Sequence, residues 1–264
     1  MIRWAALALV ALPAAAAAQE DGPRFCPTRP SLGGSSCTTE PGRVHVEMSL
    51  IDWQREDHGD GRDDRILTAD LLTRFGVGSK TEVQVGFDAF GHDRERNASG
   101  SIDRLDDVGD VTIAVRQHLA GEEGKAFSAG IQPFVTIAVG KAPVGAGDWG
   151  AGMIVPVQYD LTKKLAVQFT AEGDAAVNEA GQGRHLAYSG IGGLRYKLTD
   201  MVNLVAELEL ERDDDPMGHE THALAAWSVA WRPTKRFQLD AQAIAGLNRQ
   251  SPNFRLVAGG AALF

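Results

Sequence analysis

Twelve segments of the sequence alternate between apolar and polar residues with a period of two. In residues 202–211, Leu204 and Leu208 lie on one face of an extended strand, and Glu207 and Glu209 lie on the other. This alternation predicts half-buried strands and argues against helices. The segments comprise residues 44–50, 66–75, 82–90, 110–119, 131–137, 153–160, 165–172, 186–197, 202–211, 223–231, 237–243 and 254–264.

The connections between these segments alternate in length. Even-numbered strands are followed by tight turns such as "GVGSK" and "LTDM", and odd-numbered strands by longer polar stretches such as "QREDHGDGRDD" and "RDDDPMGHET". Outer-membrane barrels have an even number of strands, short periplasmic turns and longer extracellular loops, whereas a soluble sandwich gives no reason for strict alternation. The sequence therefore predicts an all-β fold, a 12-stranded antiparallel transmembrane β-barrel of the outer-membrane type.

Aromatic residues recur near the predicted strand ends, as expected for girdles at the two membrane interfaces. If strand one rises from the periplasm, the six even-numbered strands descend to it. Five of them end on an apolar-face aromatic residue, and strand four ends at Leu119 instead. Phe87, Tyr188 and Phe254 mark the opposite rim. The predicted periplasmic girdle comprises Phe75, Tyr159, Tyr196, Trp231, Phe237 and Phe264.

The first residues have the layout of a secretory signal peptide. Arg3 is followed by an apolar run and an Ala-x-Ala site before Gln19, and the run is short of the roughly 20 residues that a spanning helix needs. We expect residues 1–18 to be cleaved on export to the outer membrane of a Gram-negative bacterium. The chain has 26 Lys and Arg against 35 Asp and Glu, a net charge of -9, which argues against a nucleic-acid partner.

Residues 19–42 are predicted to form a periplasmic N-terminal extension, followed by the barrel in residues 43–264. The extension contains both cysteines, Cys26 and Cys37, within "FCPTRPSLGGSSC". An exported chain meets an oxidising compartment, so a disulfide is the first expectation. A metal site would need further ligands nearby, and the sequence offers none there.

The barrel segment resembles a known family of outer-membrane transporters. The stretches "DVGDVTIAVRQHL", "VGKAPVGAGDWGAG" and "FQLDAQAIAGLNRQSPNFRLVAGGAALF" resemble the family named for the MetA pathway of phenol degradation, over roughly residues 40–264. The resemblance implies a barrel that takes up aromatic compounds. The chain departs from the family in reading Val-Gly-Lys-Ala-Pro-Val-Gly where a Leu-Pro-Thr-Gly-like run is usual. A last strand that ends on an aromatic, here Phe264, also resembles the signal read by the outer-membrane assembly machinery.

The polar faces of the predicted strands point into the barrel. Twelve strands lie between the eight that side chains just fill and the sixteen that leave a channel, so we expect a narrow polar lumen. Glu207 and Glu209 would favour cations locally, or would pair with Arg195 or Arg232 and merely fill the lumen. The predicted lumen-lining residues are Asp70, Arg74, Glu82, Asp88, Asp110, Arg116, Gln132, Gln158, Gln168, Glu172, Arg195, Glu207, Glu209, Arg232, Asp240, Gln242 and Arg255.

The predicted function is an outer-membrane channel for small solutes, hydrophobic or aromatic compounds included, in contact with outer-membrane lipid and lipopolysaccharide. No catalytic residue, cofactor or metal is predicted. One alternative is a structural or binding barrel with a filled lumen, whose acidic loops "DHGDGRDD" and "RDDD" could hold Ca²⁺ although they lack the spacing of calcium loops. The other is a lipid-modifying enzyme, which would need a serine such as Ser189 beside a histidine on the lipid face.

Overall fold

The computed structural model describes residues 22–59, 61–121 and 126–264, and these residues form strands, turns and loops. The expected signal peptide lies outside the described residues. None of the described residues belongs to a helix long and apolar enough to cross a membrane. The strands are β1 (Val44–His58), β2 (Gly61–Gly78), β3 (Thr81–Arg96), β4 (Ile102–Asp107), β5 (Val111–Ala120), β6 (Phe127–Ile137), β7 (Gly150–Asp160), β8 (Leu165–Val177), β9 (Arg184–Lys197), β10 (Val202–Asp215), β11 (Gly218–Thr234), β12 (Phe237–Gly246) and β13 (Phe254–Leu263).

All strands except β4 form one closed antiparallel barrel, so the predicted 12-stranded fold is confirmed. The barrel closes between the first and the last strand, where the pairing runs from His45 opposite Leu263 to Arg55 opposite Phe254. At the end of this seam Val44 and Phe264 exchange two backbone hydrogen bonds, of 3.2 and 2.9 Å. Closure leaves none of the twelve barrel strands with an unpaired edge, as a wall surrounded by hydrocarbon requires.

The two ends of the barrel differ. At one end, here called the short-turn end, the strands are joined by brief connections at residues 79–80, 161–164, 198–201 and 235–236. At the other, the loop end, the longest connection comprises residues 138–149 between β6 and β7. The chain enters β1 from the short-turn end, so this end also receives the N-terminal segment.

Three of the polar stretches that were predicted as loops are partly strands. Residues 102–107 form β4, which pairs with Gly91–Arg96 of β3 above the barrel wall. β1 and β2 are joined by residues 59–60, and β10 and β11 by residues 216–217. Cross-strand polar contacts explain the extension, because Arg212 donates to Thr221 at 3.0 Å and His219 lies 3.4 Å from Asp214.

β-Bulges on β1 and β2 reverse which residues face the lumen. The pairing shifts between Ser49 and Ile51, and Ala69 on β2 adopts a φ of 57°, the left-handed region. Leu67, which the alternation placed on the outer face with Leu71 and Phe75, therefore faces inward, opposite Asp52. A one-residue slip moves every following side chain to the other face of the sheet.

The outer face carries large exposed apolar side chains. The six residues of the predicted periplasmic girdle all project outward with 40–65% of their surface exposed. Phe127, at the start of β6, lies opposite Tyr159. It supplies an aromatic residue to the girdle at the position where the predicted strand four ends on Leu119. Trp227 and Phe169 are also exposed but lie in mid-strand, unlike the aromatics of the girdles.

We predict that replacing Ala69 with glycine leaves the barrel as stable as the wild type or more stable. A non-glycine residue in the left-handed region costs about 1–2 kcal/mol, which glycine relieves. The matched control is Ala171→Gly on β8, where the same change should cost about 0.5–1 kcal/mol of unfolding free energy. Urea unfolding in lipid vesicles measures both, and equal losses at the two positions would contradict the bulge.

Candidate functional site: the plugged lumen

The N-terminal segment lies inside the barrel. Residues 22–39, here called the plug, occupy the short-turn half of the lumen and contact the inner face of the wall on several sides. The sequence predicted a periplasmic extension, whereas the structure places this segment in the lumen, surrounded by the wall. The physical reason is hydrogen bonding, because the inner face presents charged side chains to the backbone of the plug.

Arg74 is the centre of the contact between the plug and the wall. Its guanidinium donates to Glu82 at 2.9 and 3.1 Å and to Glu47 at 2.7 Å, and all three side chains are buried. It also donates to the carbonyl oxygens of Cys26 and Cys37, at 2.9 and 3.0 Å. The five N–H donors of one arginine thus connect β1, β2, β3 and both ends of a loop of the plug.

The two carboxylates beside Arg74 also accept from the backbone of the plug. Glu47 accepts from the N–H groups of Thr28 and Arg29 at 3.0 Å, and Glu82 from that of Thr39 at 2.6 Å. These are charge-assisted hydrogen bonds, which are stronger than neutral ones. The plug therefore satisfies lone pairs that a carboxylate buried in the wall would otherwise leave unused.

A disulfide closes the plug on itself. The sulfur atoms of Cys26 and Cys37 are 2.09 Å apart. The enclosed loop presents the Cys37 carbonyl to Arg116 as well as to Arg74, at 3.4 Å. Arg116 also donates to Thr28 in the plug at 3.2 Å.

The opposite side of the plug contacts the other half of the wall. Glu207 accepts from the Ser31 hydroxyl at 2.6 Å and from the Leu32 N–H at 2.9 Å. The Gly34 N–H donates to Thr170 at 3.0 Å. Glu207 therefore binds the plug, and its oxygens are not free to make a cation site with Glu209.

A further set of contacts ties the plug to β1 and β12. Arg29 pairs with Asp240 at 2.9 Å and donates to Ser49 at 2.7 Å. Gln238, which is fully buried, donates to the carbonyl of Arg29 at 2.8 Å. A methyl group added at Gly259 would lie 2.1 Å from the Met48 carbonyl oxygen and 2.6 Å from the Arg29 guanidinium, so Arg29 packs closely against the wall at this glycine.

Above the plug the lumen opens into a cavity of about 380 Å³. Its lining includes the plug residues Arg29 and Leu32 and, on the wall, Asp52 and Asp70. Asp52 is paired with Arg255 by two hydrogen bonds, one of them 2.7 Å. Asp88 and Asp110 extend the acidic side of this half on β3 and before β5, and Glu172, Asp174, Glu209 and Glu211 form a second acidic side on β8 and β10.

The loop of residues 138–149 folds inward at the loop end. Asp110 accepts from the backbone N–H groups of Val139, Gly140 and Ala146, at 2.9, 3.1 and 2.7 Å. Val144 at the tip is buried. A methyl group added to Gly91 would meet it at 2.3 Å, and Gly91 lies opposite the inward-facing Leu67. The loop thus reaches across β5 to the wall formed by β2 and β3.

The far end of this loop is held by β9. The Trp149 N–H donates to Asp148 at 2.8 Å, and Arg184 lies 2.9 Å from the same carboxyl group. These two contacts hold the pKa of the Asp148 carboxyl below its usual range. The Arg184 guanidinium also stacks 4.4 Å above the Trp149 ring, a cation–π contact.

The structure places the predicted lumen-lining residues on the inner side of the wall. They fall into three groups. Those against the plug are Arg74, Glu82, Arg116, Gln132, Gln168, Glu207 and Asp240; those in the half toward the loop end are Asp70, Asp88, Asp110, Glu172, Glu209, Gln242 and Arg255; and those beside the plug near the short-turn end are Gln158, Arg195 and Arg232.

Ser189 and the acidic loops bear on the alternative functions. Ser189 lies on the inner face of β9, opposite Glu172 and Glu211, and not on the lipid face that a lipid-modifying enzyme would use.

The acidic stretch "RDDD" forms the end of β10, where Asp214 is paired with Arg212 at 2.8 Å. Backbone N–H groups of Met217 and Glu179 donate to Asp215 at 2.7 Å and hold the pKa of its carboxyl below the usual range.

Residues 28–264 match the protein family described as "MetA-pathway of phenol degradation". The chain belongs to this family. The match begins inside the plug and covers residues 28–39 of it as well as the barrel wall. Among curated proteins, none matches the chain in sequence.

Solved structures with the same fold are outer-membrane barrels of low sequence identity to this member of the family. An outer membrane channel from Pseudomonas putida F1 is 15% identical, with a TM-score of 0.69 over 87% of this chain and 97% of that one. The NanC porin is 11% identical, with a TM-score of 0.52 over 84% and 99% of the two chains. The translocator domain of the autotransporter NalP from Neisseria meningitidis is 14% identical, with a TM-score of 0.53 over 86% and 90%.

We predict that replacing Arg74 with glutamine destabilises the barrel by about 3–5 kcal/mol, because the buried Glu47 loses the cation it is paired with and Glu82 keeps Arg116 alone. The matched control is Arg65→Gln, which removes a partly exposed pair with Asp93 and should cost about 0–1 kcal/mol. Urea unfolding in vesicles measures both free energies. Similar losses for the two variants would show that the buried cluster does not carry the contact between plug and wall.

Proposed function

We propose that the protein is an outer-membrane channel that lets small solutes pass between the plug and the barrel wall. The observation that carries this proposal is that the plug does not fill the lumen. A cavity of about 50 Å³ lies beside it near the short-turn end, and one of about 380 Å³ lies above it. The P. putida protein of the same fold is described as an outer membrane channel and NanC as a porin, which agrees with this proposal.

We propose hydrophobic or aromatic compounds as the solutes, and the outer membrane as the location. The family's association with phenol degradation supports the first, and the exposed aromatic girdles support the second. The lipid contacts of the barrel would then include lipopolysaccharide on the outer leaflet. The assembly machinery would read β13, whose pairing with β1 closes the wall beside Phe264.

The second candidate function is a structural or binding barrel without conduction. The observation that favours it is the plug itself, which is hydrogen-bonded to β1, β2, β8, β10 and β12. The two candidates differ in whether ions pass through the folded protein.

We predict that the refolded protein gives small discrete current steps in a planar bilayer, and that a variant lacking residues 23–36 gives steps several-fold larger. Removing the plug opens the short-turn half, while the girdles and the closing seam remain. Phenol should reduce the wild-type current more than cyclohexanol, a non-aromatic alcohol of similar size.

Heat-modifiable migration on a gel serves as the control that both proteins are folded. A silent wild type with a conducting deletion variant would support the filled barrel. Absence of current steps for both folded proteins would contradict a route through the lumen, and would favour passage of solutes through the wall. Equal effects of phenol and cyclohexanol would remove the preference for aromatic solutes.

A further inference from the structure

The arginines inside the barrel fall into two classes. Four of them contact a carboxylate: Arg29 pairs with Asp240, Arg74 with Glu47 and Glu82, Arg116 with Glu82, and Arg255 with Asp52. Three others have no carboxylate within 4 Å among residues 22–59, 61–121 and 126–264: Arg24 at the start of the plug, which donates to the Thr38 carbonyl at 3.3 Å, and Arg195 and Arg232 on the wall. Arg195 and Arg232 are half-buried, and without a counter-charge they leave positive charge in this part of the lumen.

The nearest acidic groups do not neutralise Arg195 and Arg232. Glu207 and Asp160 act on Arg195 electrostatically, but neither forms an ion pair with it. The oxygens of Glu207 already accept from Ser31 and Leu32 of the plug and from Gln168 at 2.8 Å. The two arginines also act on each other, so the positive charge between them is not balanced by the wall or the plug.

Neutral amides orient both guanidinium groups. Arg195 donates to the side-chain oxygen of Gln158, and Arg232 donates to that of Gln238 at 2.9 Å. Gln238 is itself fixed by its bonds to Arg29 and Asp240. Each guanidinium has five N–H donors, and these contacts use only part of them. The remaining donors are pre-positioned for an acceptor that carries negative charge.

Both arginines line the cavity beside the plug. The cavity holds about 50 Å³, and its lining also includes Arg29, which is paired with Asp240, neutral polar groups such as Asn203 and Gln168, and apolar residues of the plug and the wall. This volume accommodates a carboxylate group or a few water molecules, but not an aromatic ring. The pocket is thus sized for the charged end of a solute.

Arg232 lies between the cavity and the rim at the short-turn end. Arg232 also lines a groove at that rim, together with Phe25, Met201 and Pro233, and its guanidinium lies 5.5 Å from the centre of the Phe25 ring. The groove has apolar surfaces on which the rest of an organic acid could rest. The loop half of the lumen, in contrast, carries Asp70 and Asp88 and would repel an anion.

We propose that the cavity between the plug and strands β7–β12 is a binding site for a carboxylate group, held by Arg195 and Arg232. The carboxylate is either a small free ion or the charged end of a larger aromatic acid. It supplies the missing counter-charge through bonds to the two guanidinium forks. The site lies in the same lumen as the proposed passage, but it does not rest on conduction, because binding can be measured with no current.

The test is titration calorimetry on the folded full-length protein with acetate, benzoate and benzyl alcohol. We expect benzoate to bind, benzyl alcohol to give no heat above dilution, and the double variant Arg195→Gln/Arg232→Gln to weaken benzoate binding at least tenfold. Arg255→Gln, which removes an arginine already paired with Asp52, should change benzoate affinity less than twofold. Acetate as tight as benzoate identifies a free carboxylate as the ligand, and tighter benzoate identifies the end of an aromatic acid.

Absence of benzoate and acetate binding, or equal binding of benzyl alcohol, would overturn the proposal. So would unchanged benzoate affinity in the double variant. If the glutamine double variant does not fold, Arg195→Lys/Arg232→Lys replaces it: this variant keeps the charge but loses the forked donors, and it should weaken benzoate severalfold. In a planar bilayer, benzoate should reduce current only from the short-turn side, and block from both sides alike would contradict the acidic barrier above the plug.

Discussion

The ion-pair cluster of Arg74, Glu47 and Glu82 is the interaction on which the plugged lumen depends. All three side chains are buried in the wall, where an isolated charge would be very costly. Arg116 adds a second cation beside Glu82, and the backbone of the plug completes the hydrogen bonding: Glu47 and Glu82 accept N–H groups that the plug offers, and Arg74 donates to two of its carbonyls. The wall and the plug are therefore not independent parts. Each satisfies polar groups of the other.

This mutual dependence divides the lumen by charge. In the short-turn half, Glu47, Glu82 and Asp240 are bonded to the plug or to arginines, and Arg195 and Arg232 are left with amide partners and no counter-charge. In the half toward the loop end Arg255 is paired with Asp52, and Asp70, Asp88 and Glu172 add further acidic groups. A solute passing along the lumen would meet first one sign of charge and then the other. A neutral or apolar solute has no such barrier, which is consistent with the proposed class of solutes.

The wall was predictable from the sequence because its determinants are local. A strand between lipid and lumen must alternate apolar and polar residues, and the alternation at residues 202–211 is visible without any partner. The reading failed where the pleat is interrupted: a bulge at Ala69 places Leu67 inside, and no local signal marks that reversal. It also failed at residues 102–107, whose polar side chains on both faces look like a loop but pair with β3 above the wall.

The plug could not be predicted in the same way. Its sequence has no periodicity, and its partners on the wall lie between 6 and 211 residues away along the chain, from Thr39 with His45 to Arg29 with Asp240. One signal of the plug was present in the sequence, but it was interpreted as the lining of a polar lumen. The inner face carries more charged residues than a narrow water-filled lumen needs, and several of them lie at the same height on adjacent strands. Charges buried at that density require hydrogen-bond partners. Where the charged side chains of the wall do not pair with one another, another segment of the chain must supply their hydrogen-bond partners. A Ser/Gly-rich segment with a short disulfide loop offers backbone N–H and C=O groups at little steric cost. Arg195 and Arg232 are bonded only to neutral amides of the chain, so part of their N–H donors remains available to an acidic group from outside it.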